Sequence, residues 1–185
     1  MLFLSKKEKQ EGRSLLEYIE NLQVDKVKEL LDSGVKPIRK RSLFQSLPSP
    51  LVRSAFVQSL ELVRLLLSYH APVNEIDKSG ITALDMACLG EQIDMIQLLL
   101  EKGADVSFFF KRIYPADNAL FYGNEKIIKL LLSYGANPSK VLKAHYFRMP
   151  LAVVTLMIEA SDSVPQDILE FWESEKELEK KYGKA

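Results

Sequence analysis

Apolar residues recur along this chain in runs that end in the same way. The segment LLLEKGADV, at 98–106, returns as LLLSYGANP at 130–138 and as LLLSYHAPV at 65–73. A fourth version, with Glu in place of the first Leu, is ELLDSGVKP at 29–37. Upstream of each run the apolar residues follow helical spacing, so each run is expected to close an amphipathic helix.

The residue that follows each run fixes the period of the repeat. Gly34, His70, Gly103 and Gly135 hold this place, and the steps between them are 36, 33 and 32 residues. A period near 33 is typical of a stacked repeat array. Glycine ends a helix well because it adopts the left-handed conformation, and His70 in that place is expected to cap a helix end or face solvent.

The aligned copies predict two helices in each repeat. Ser49-Pro50-Leu51, Thr82-Ala83-Leu84 and Tyr114-Pro115-Ala116 occupy the same place, and proline suits the first turn of a helix. The second helix ends in the leucine run, and its equivalent residues Leu66, Leu99 and Leu131 are predicted in the core. The fold class expected is all-α, a solenoid of helix-turn-helix units joined by short loops or hairpins.

The third copy carries a family resemblance. Its residues Gly80, Thr82, Leu84, Ala87, Leu98, Leu99 and Gly103-Ala104-Asp105-Val106 resemble the ankyrin repeat, and the likeness covers roughly residues 14–160. The family usually places His after the Pro-Leu pair to tie neighbouring loops together, and this chain has Val52, Asp85 and Asp117 there. The resemblance implies a protein-interaction module without enzymatic activity.

The copies also suggest domain boundaries. We expect an N-terminal polar segment at 1–13, an ankyrin-repeat domain at 14–161, and a C-terminal capping helix with a charged tail at 162–185. The repeat units are predicted at 14–37, 49–73, 77–106, 110–138 and 141–161. Residues 5–12 are expected to form a loose end or the first turn of a helix, and a helical pattern starts at Ser14. Helix is expected again from Val164, and the charged stretch 173–181 is expected to fray.

Composition narrows the possible partners and compartments. Lys plus Arg equals Asp plus Glu at 25 each, so no net field steers the chain to nucleic acid. Four apolar residues precede the first charges, fewer than a signal peptide uses, and no run approaches the roughly 20 apolar residues that span a bilayer. A cytoplasmic monomer without membrane contact is expected, although export as an effector stays open.

No motif for catalysis, cofactor binding or metal binding is found. Cys88 is the single cysteine and aligns with small core residues, so we expect a buried structural thiol. His70 and His145 have no partner at metal-ligand spacing. An unrecognised active site around Asp85, Asp117 and His145 is the alternative, but helix capping explains the aspartates better.

Binding residues are predicted at the end of each first helix. Helical phase turns Phe56, Leu89 and Phe121 away from the stack, with Tyr122 beside them and Phe147 in the last copy. In the ankyrin family these positions line the concave face, so the resemblance implies an apolar ladder for a protein partner. The alternative is that these side chains pack against loops or neighbouring repeats.

A second candidate surface is the loop FFFKR at 108–112. Consecutive side chains in a hairpin point to opposite sides, so at least one of Phe108, Phe109 and Phe110 should be exposed. Phe109, Phe110, Lys111 and Arg112 are the binding residues predicted in this loop, as the rim of the surface. Covering a gap left by the missing loop histidines is the alternative. Small ankyrin proteins of bacteria and viruses, which this chain resembles, suggest an inhibitor, immunity or secreted-effector role, and self-association through Phe108–Phe110 is a further possibility.

Overall fold

A computed structural model describes residues 5–38, 47–106, 124–136, 150–161 and 163–182. Within these ranges the regular elements are helices, and no strand occurs in them. The chain forms two compact units, Met1–Ala104 and Asp105–Ala185. The predicted all-α repeat fold is confirmed.

Three helix pairs stack in the first unit. The helices are α1 (Lys6–Glu20), α2 (Val24–Asp32), α3 (Pro50–Phe56), α4 (Leu60–Ser68), α5 (Ala83–Leu89) and α6 (Ile93–Glu101). The first helices α1, α3 and α5 pack side by side in one row, and the second helices α2, α4 and α6 form the other. Leu66 and Leu99 are fully buried between them, as predicted.

Each helix pair of the first unit turns through a residue in the left-handed conformation. These residues are Leu22, Gln58 and Glu91, with φ of 55°, 59° and 52°. Asp77 shapes a polar loop between the second and third pairs, because its carboxylate accepts from the amides of Ser79 and Ile81 at 2.8 and 2.9 Å. The repeats therefore share one turn geometry although the turn residues differ.

The second unit contains α7 (Glu125–Ser133), α8 (Leu151–Glu159) and α9 (Gln166–Tyr182), and α8 contacts both others. Leu131 is fully buried in α7, which confirms its predicted place. In α9, Ile168 is buried and the Trp172 indole donates to the Thr155 hydroxyl at 2.9 Å. The final helix therefore packs on the last described repeat helix.

Two helix boundaries differ from the sequence prediction. The first helix begins at Lys6 rather than Ser14, because Ser5 and Glu8 form a capping box in which each side chain accepts from the other's amide. The last helix begins at Gln166 and includes residues 173–181, the stretch that was expected to fray. Lys and Glu favour helix, and the Lys176 ammonium lies 4.1 Å from the centre of the Trp172 ring.

The leucine runs end with one repeated backbone arrangement. Gly34, Gly103 and Gly135 have φ of 95°, 83° and 83°, and His70 has φ of 61°. The residue after each donates its amide five residues back, as Ala104 does to the Leu99 carbonyl at 2.9 Å. His70 is exposed and ends its helix, as predicted, although a side chain strains this conformation.

Leu99→Ala should lower the free energy of unfolding by about 2–5 kcal/mol, because it leaves a cavity between α6 and its neighbours. Leu89→Ala is the matched control, and it should cost less than about 1 kcal/mol because Leu89 is 44% exposed. Urea denaturation measures both. Equal losses in the two variants would contradict the packing register.

Gly103→Ala should cost about 1–2 kcal/mol, although no atom lies within 4 Å of the added Cβ, because the strain is in the backbone. His70→Gly should stabilise by up to about 1 kcal/mol as the same strain is relieved. Gly90→Ala is the control, since Gly90 has an ordinary φ of −84° and the nearest atom to its Cβ is a flexible Gln58 side-chain nitrogen at 3.2 Å. Thermal denaturation that ranked Gly90→Ala as the worst variant would disprove this reading.

Candidate functional site

Two large apolar side chains project from equivalent places on neighbouring helices. Phe56 ends α3 and is 57% exposed, and Leu89 ends α5 and is 44% exposed. Because α3 packs beside α5, both side chains belong to one surface of the first unit. We call this pair the apolar ledge.

An ion pair between repeats supports Phe56. The guanidinium carbon of Arg53 lies 4.8 Å from the centre of the Phe56 ring, and an Arg53 nitrogen lies 2.9 Å from the carboxylate of Glu20 on α1. Both charged groups are partly exposed, so the pair adds at most about 1 kcal/mol. The Arg53 contact orients the Phe56 ring, because the guanidinium covers one side of the ring and restricts its rotamers.

An open groove lies between the turn after α3 and the turn after α5. Its volume is about 440 Å³, and its lining includes Gln58, Leu60, Glu91, Gln92, Ile93 and Asp94. Sequence reasoning missed this groove because it treated the turns only as connections. The available signal was the alignment of residues 57–61 with 90–94, which places two similar polar turns side by side.

All of the other predicted binding residues lie outside the part of the chain that the structure describes. These are Phe109, Phe110, Lys111, Arg112, Phe121, Tyr122 and Phe147. The ladder beyond Leu89 and the exposure of the 108–112 loop therefore stay predictions. Asp117 and His145, two members of the alternative active site, are also outside the described residues.

Asp85 has a structural role at the start of α5. Its carboxylate accepts from the amide and the hydroxyl of Thr82 at 2.7 and 2.8 Å, while the Thr82 hydroxyl accepts from the Asp85 amide at 3.2 Å. This capping box satisfies groups at the helix N-terminus. The capping interpretation of Asp85 is confirmed.

Cys88 is fully buried in α5, as predicted. Burial, with a smaller contribution from the negative charge of Asp85, raises the pKa of the Cys88 thiol far above its ordinary value. A thiol held neutral in this way is a poor nucleophile and a poor metal ligand. Across the described ranges, His, Cys, Asp and Glu side chains form no group of three that could hold a metal ion.

None of the helices in the described segments combines the length and apolar character needed to cross a bilayer.

Comparison with known proteins gives a family match and several relatives. A family model described as ankyrin repeats, in three copies, matches residues 15–109. A putative ankyrin repeat protein of Acanthamoeba polyphaga mimivirus is 32% identical over 84 residues, covering 44% of this chain and 11% of the relative. An ankyrin repeat and KH domain-containing protein of Caenorhabditis elegans is 35% identical over 103 residues, covering 55% and 4%.

A third relative is an ankyrin repeat, SAM and basic leucine zipper domain-containing protein of Dasypus novemcinctus. It is 36% identical over 116 residues, which cover 60% of this chain and 24% of the relative. The chain therefore spans less than a quarter of each of these three relatives.

The buried Cys88 thiol should make stability depend on pH. Below the pKa of the thiol in the unfolded chain, near 8.5, the thiol is protonated in both states, and the folded state keeps its full stability. Above this pH the thiol ionises in the unfolded chain but stays protonated in the folded one, so the free energy of unfolding falls. The free energy of unfolding of the parent, minus that of Cys88→Ala, should therefore fall by about 1.4 kcal/mol per pH unit above pH ~9. Because the chain has no other cysteine, the subtraction isolates this group. A pH-independent difference in urea denaturation would contradict the assignment.

Proposed function

The chain belongs to the ankyrin-repeat family, and we propose that it is a non-catalytic module that binds another protein on the apolar ledge of Phe56 and Leu89. Ankyrin repeats are generally protein–protein interaction modules. The proposal adds a location to that general role. Because the chain spans only part of its relatives, no partner named for them is carried over.

The observation that carries the proposal is the exposure of two apolar side chains at the same repeat position. Complete burial of a Phe or Leu side chain is favourable by about 1.5–3 kcal/mol, and an exposed side chain does not gain this free energy. A partner that covers the ledge would recover part of it. Exposed apolar groups on neighbouring helices are the kind of surface that binding partners use.

The rigidity of the apolar ledge also supports the proposal that a protein binds there. Both residues end helices whose opposite faces are buried in the stack, and Arg53 and Glu20 restrain the Phe56 ring. A surface that is already ordered loses little conformational entropy when it binds. The binding free energy can then reflect the contacts themselves.

The proposal extends along the remaining copies. Phe121 and Tyr122 would continue the ledge as further anchors, and Phe109, Phe110, Lys111 and Arg112 would form its rim. These residues are included in the proposal only because of their repeat positions in the sequence. The module is proposed to act as a monomer, with a protein of another sequence as its partner.

Site-specific photocrosslinking tests the location of binding. A photoreactive phenylalanine analogue at position 56 or 89 should give a discrete adduct with one protein from extracts of the source cells, because the ledge contacts the partner directly. The same analogue at Gln97, an exposed position on the second helix α6, is the matched control and should give none. Adducts of equal yield from α6 would contradict the proposed surface.

The captured protein then allows a quantitative check. Phe56→Ser and Leu89→Ser should each weaken its binding by about tenfold or more, as expected for an interface anchor worth over 1.4 kcal/mol. Unfolding free energies should stay within about 1 kcal/mol of the parent because both side chains are exposed. Unchanged affinity in both stable variants would refute the proposal.

A further inference from the structure

The Gln58 side chain reaches from the second helix pair to the third. Gln58 follows the end of α3, and its amide nitrogen lies 3.2 Å from the place that a Cβ atom on Gly90, at the end of α5, would occupy. Gly90 is bonded to Leu89, and Gln58 is two residues beyond Phe56. The packing of α3 beside α5 therefore places a primary amide next to the residue that follows Leu89.

The lack of a side chain at Gly90 leaves room for this amide. The φ of −84° at Gly90 is close to the −90° of Asn21 and the −78° of Val57, which hold the same place after α1 and α3. Both of those residues carry a Cβ, so the backbone does not require glycine at this place. An added Cβ would be nearer to the Gln58 nitrogen than in an ordinary van der Waals contact. The glycine therefore fits the position of the neighbouring amide.

The Gln58 amide has hydrogen-bonding groups that the described residues do not use. Its side chain is exposed, and no described residue donates a hydrogen bond to it or accepts one from it. A primary amide carries two N–H donors and a carbonyl acceptor, and a peptide group carries one N–H and one C=O. The two kinds of group can therefore exchange a pair of hydrogen bonds.

The groove between the two turns gives a partner access to this amide. Gln58 and Gln92 line the groove, whose volume is about 440 Å³, and Leu60, Ile93 and Met95 contribute apolar atoms. In an extended segment the main-chain N–H and C=O groups point sideways, and successive side chains point to opposite faces. Such a segment can present a peptide group to Gln58 while its side chains contact apolar surface.

We propose that the Gln58 amide pairs with a main-chain peptide group of an extended partner segment, whose apolar side chains cover Phe56 and Leu89. Gln58 then determines specificity for conformation, because the N–H and C=O groups inside a helix are already bonded to each other. This inference rests on the proposed function, and it adds the conformation of the partner segment and the chemical group that is recognised.

A random peptide library displayed on phage and panned against the full chain provides the probe. One selected peptide is synthesised, and its affinity is measured by fluorescence anisotropy. Amide-to-ester replacement at successive positions of this peptide removes one main-chain N–H at a time. Replacement at one position should weaken binding by about three- to tenfold, as the loss of one hydrogen bond would.

Removing the Gln58 amide should have the same effect from the side of the protein. Gln58→Ala should weaken the unmodified peptide by about three- to tenfold, and it should not weaken the sensitive ester peptide further because the bond is already absent. Gln97→Ala removes an amide from an exposed position on α6 outside the groove and is the matched control, with a change below about twofold. Additive losses from Gln58→Ala and the ester would overturn the inference.

Gly90→Ala tests the position of the amide without removing it. The added methyl group should displace the Gln58 nitrogen and weaken the peptide by about threefold. The same substitution should have no effect when it is combined with Gln58→Ala, because the group that it displaces is gone. A loss that persists in the double variant would show a direct clash with the peptide and would contradict the inference. Circular dichroism verifies that all variants keep the parent helix content.

The outcomes separate this inference from the function on which it rests. If Phe56→Ser and Leu89→Ser weaken the peptide but Gln58→Ala does not, the inference fails and the ledge remains the binding surface. Insensitivity to both ledge variants would count against the proposed function itself. A peptide that is helical when bound, as seen by NMR of the labelled peptide, would overturn the inference. An ester series without a sensitive position, or a library that yields no binder, would also overturn it.

Discussion

Burial of the leucine runs between neighbouring helix pairs is the constraint on which the rest of the structure depends. A single pair has one apolar face and nothing of its own to cover it, so the core exists only where pairs stack. Leu66 and Leu99 are fully buried in this way in the first unit, and Leu131 is fully buried in the second. The left-handed residues that end the leucine runs serve the same stacking, because each second helix must end at the same height in the stack before the next pair begins.

Stacking at a fixed period also places the surface residues in rows. Once Leu66 and Leu99 are aligned, Phe56 and Leu89 must project from the same side of adjacent helices. The same alignment brings Arg53 to Glu20 of the preceding repeat and sets the turn after α3 beside the turn after α5. The alignment of the buried leucines therefore sets the positions of the ledge and the groove. The side chains at those positions decide what the two surfaces can bind.

The sequence predicted the candidate surface only in part. Helical phase alone turns Phe56 and Leu89 away from the core, and both are exposed as that phase requires. The capping role of Asp85 was also predictable because it depends on neighbours within one repeat, and the burial of Cys88 was predictable from its alignment with small core residues of the other copies. The groove was not predicted, since Gln58 and Glu91 are 33 residues apart and form one wall only when the repeats stack.

The period, the helix pairs and the buried leucine positions follow from the order of residues alone, because they depend on apolar spacing and on residues that can end a helix. The start of the first helix was missed although Ser5 and Glu8 have the spacing of a capping box, because the polar segment that follows lacks apolar periodicity. The tertiary structure alone decided the pairing of Arg53 with Glu20 and the groove between the turns after α3 and α5. Each of these joins side chains from different repeats, and their proximity arises from packing rather than from any local preference of the chain.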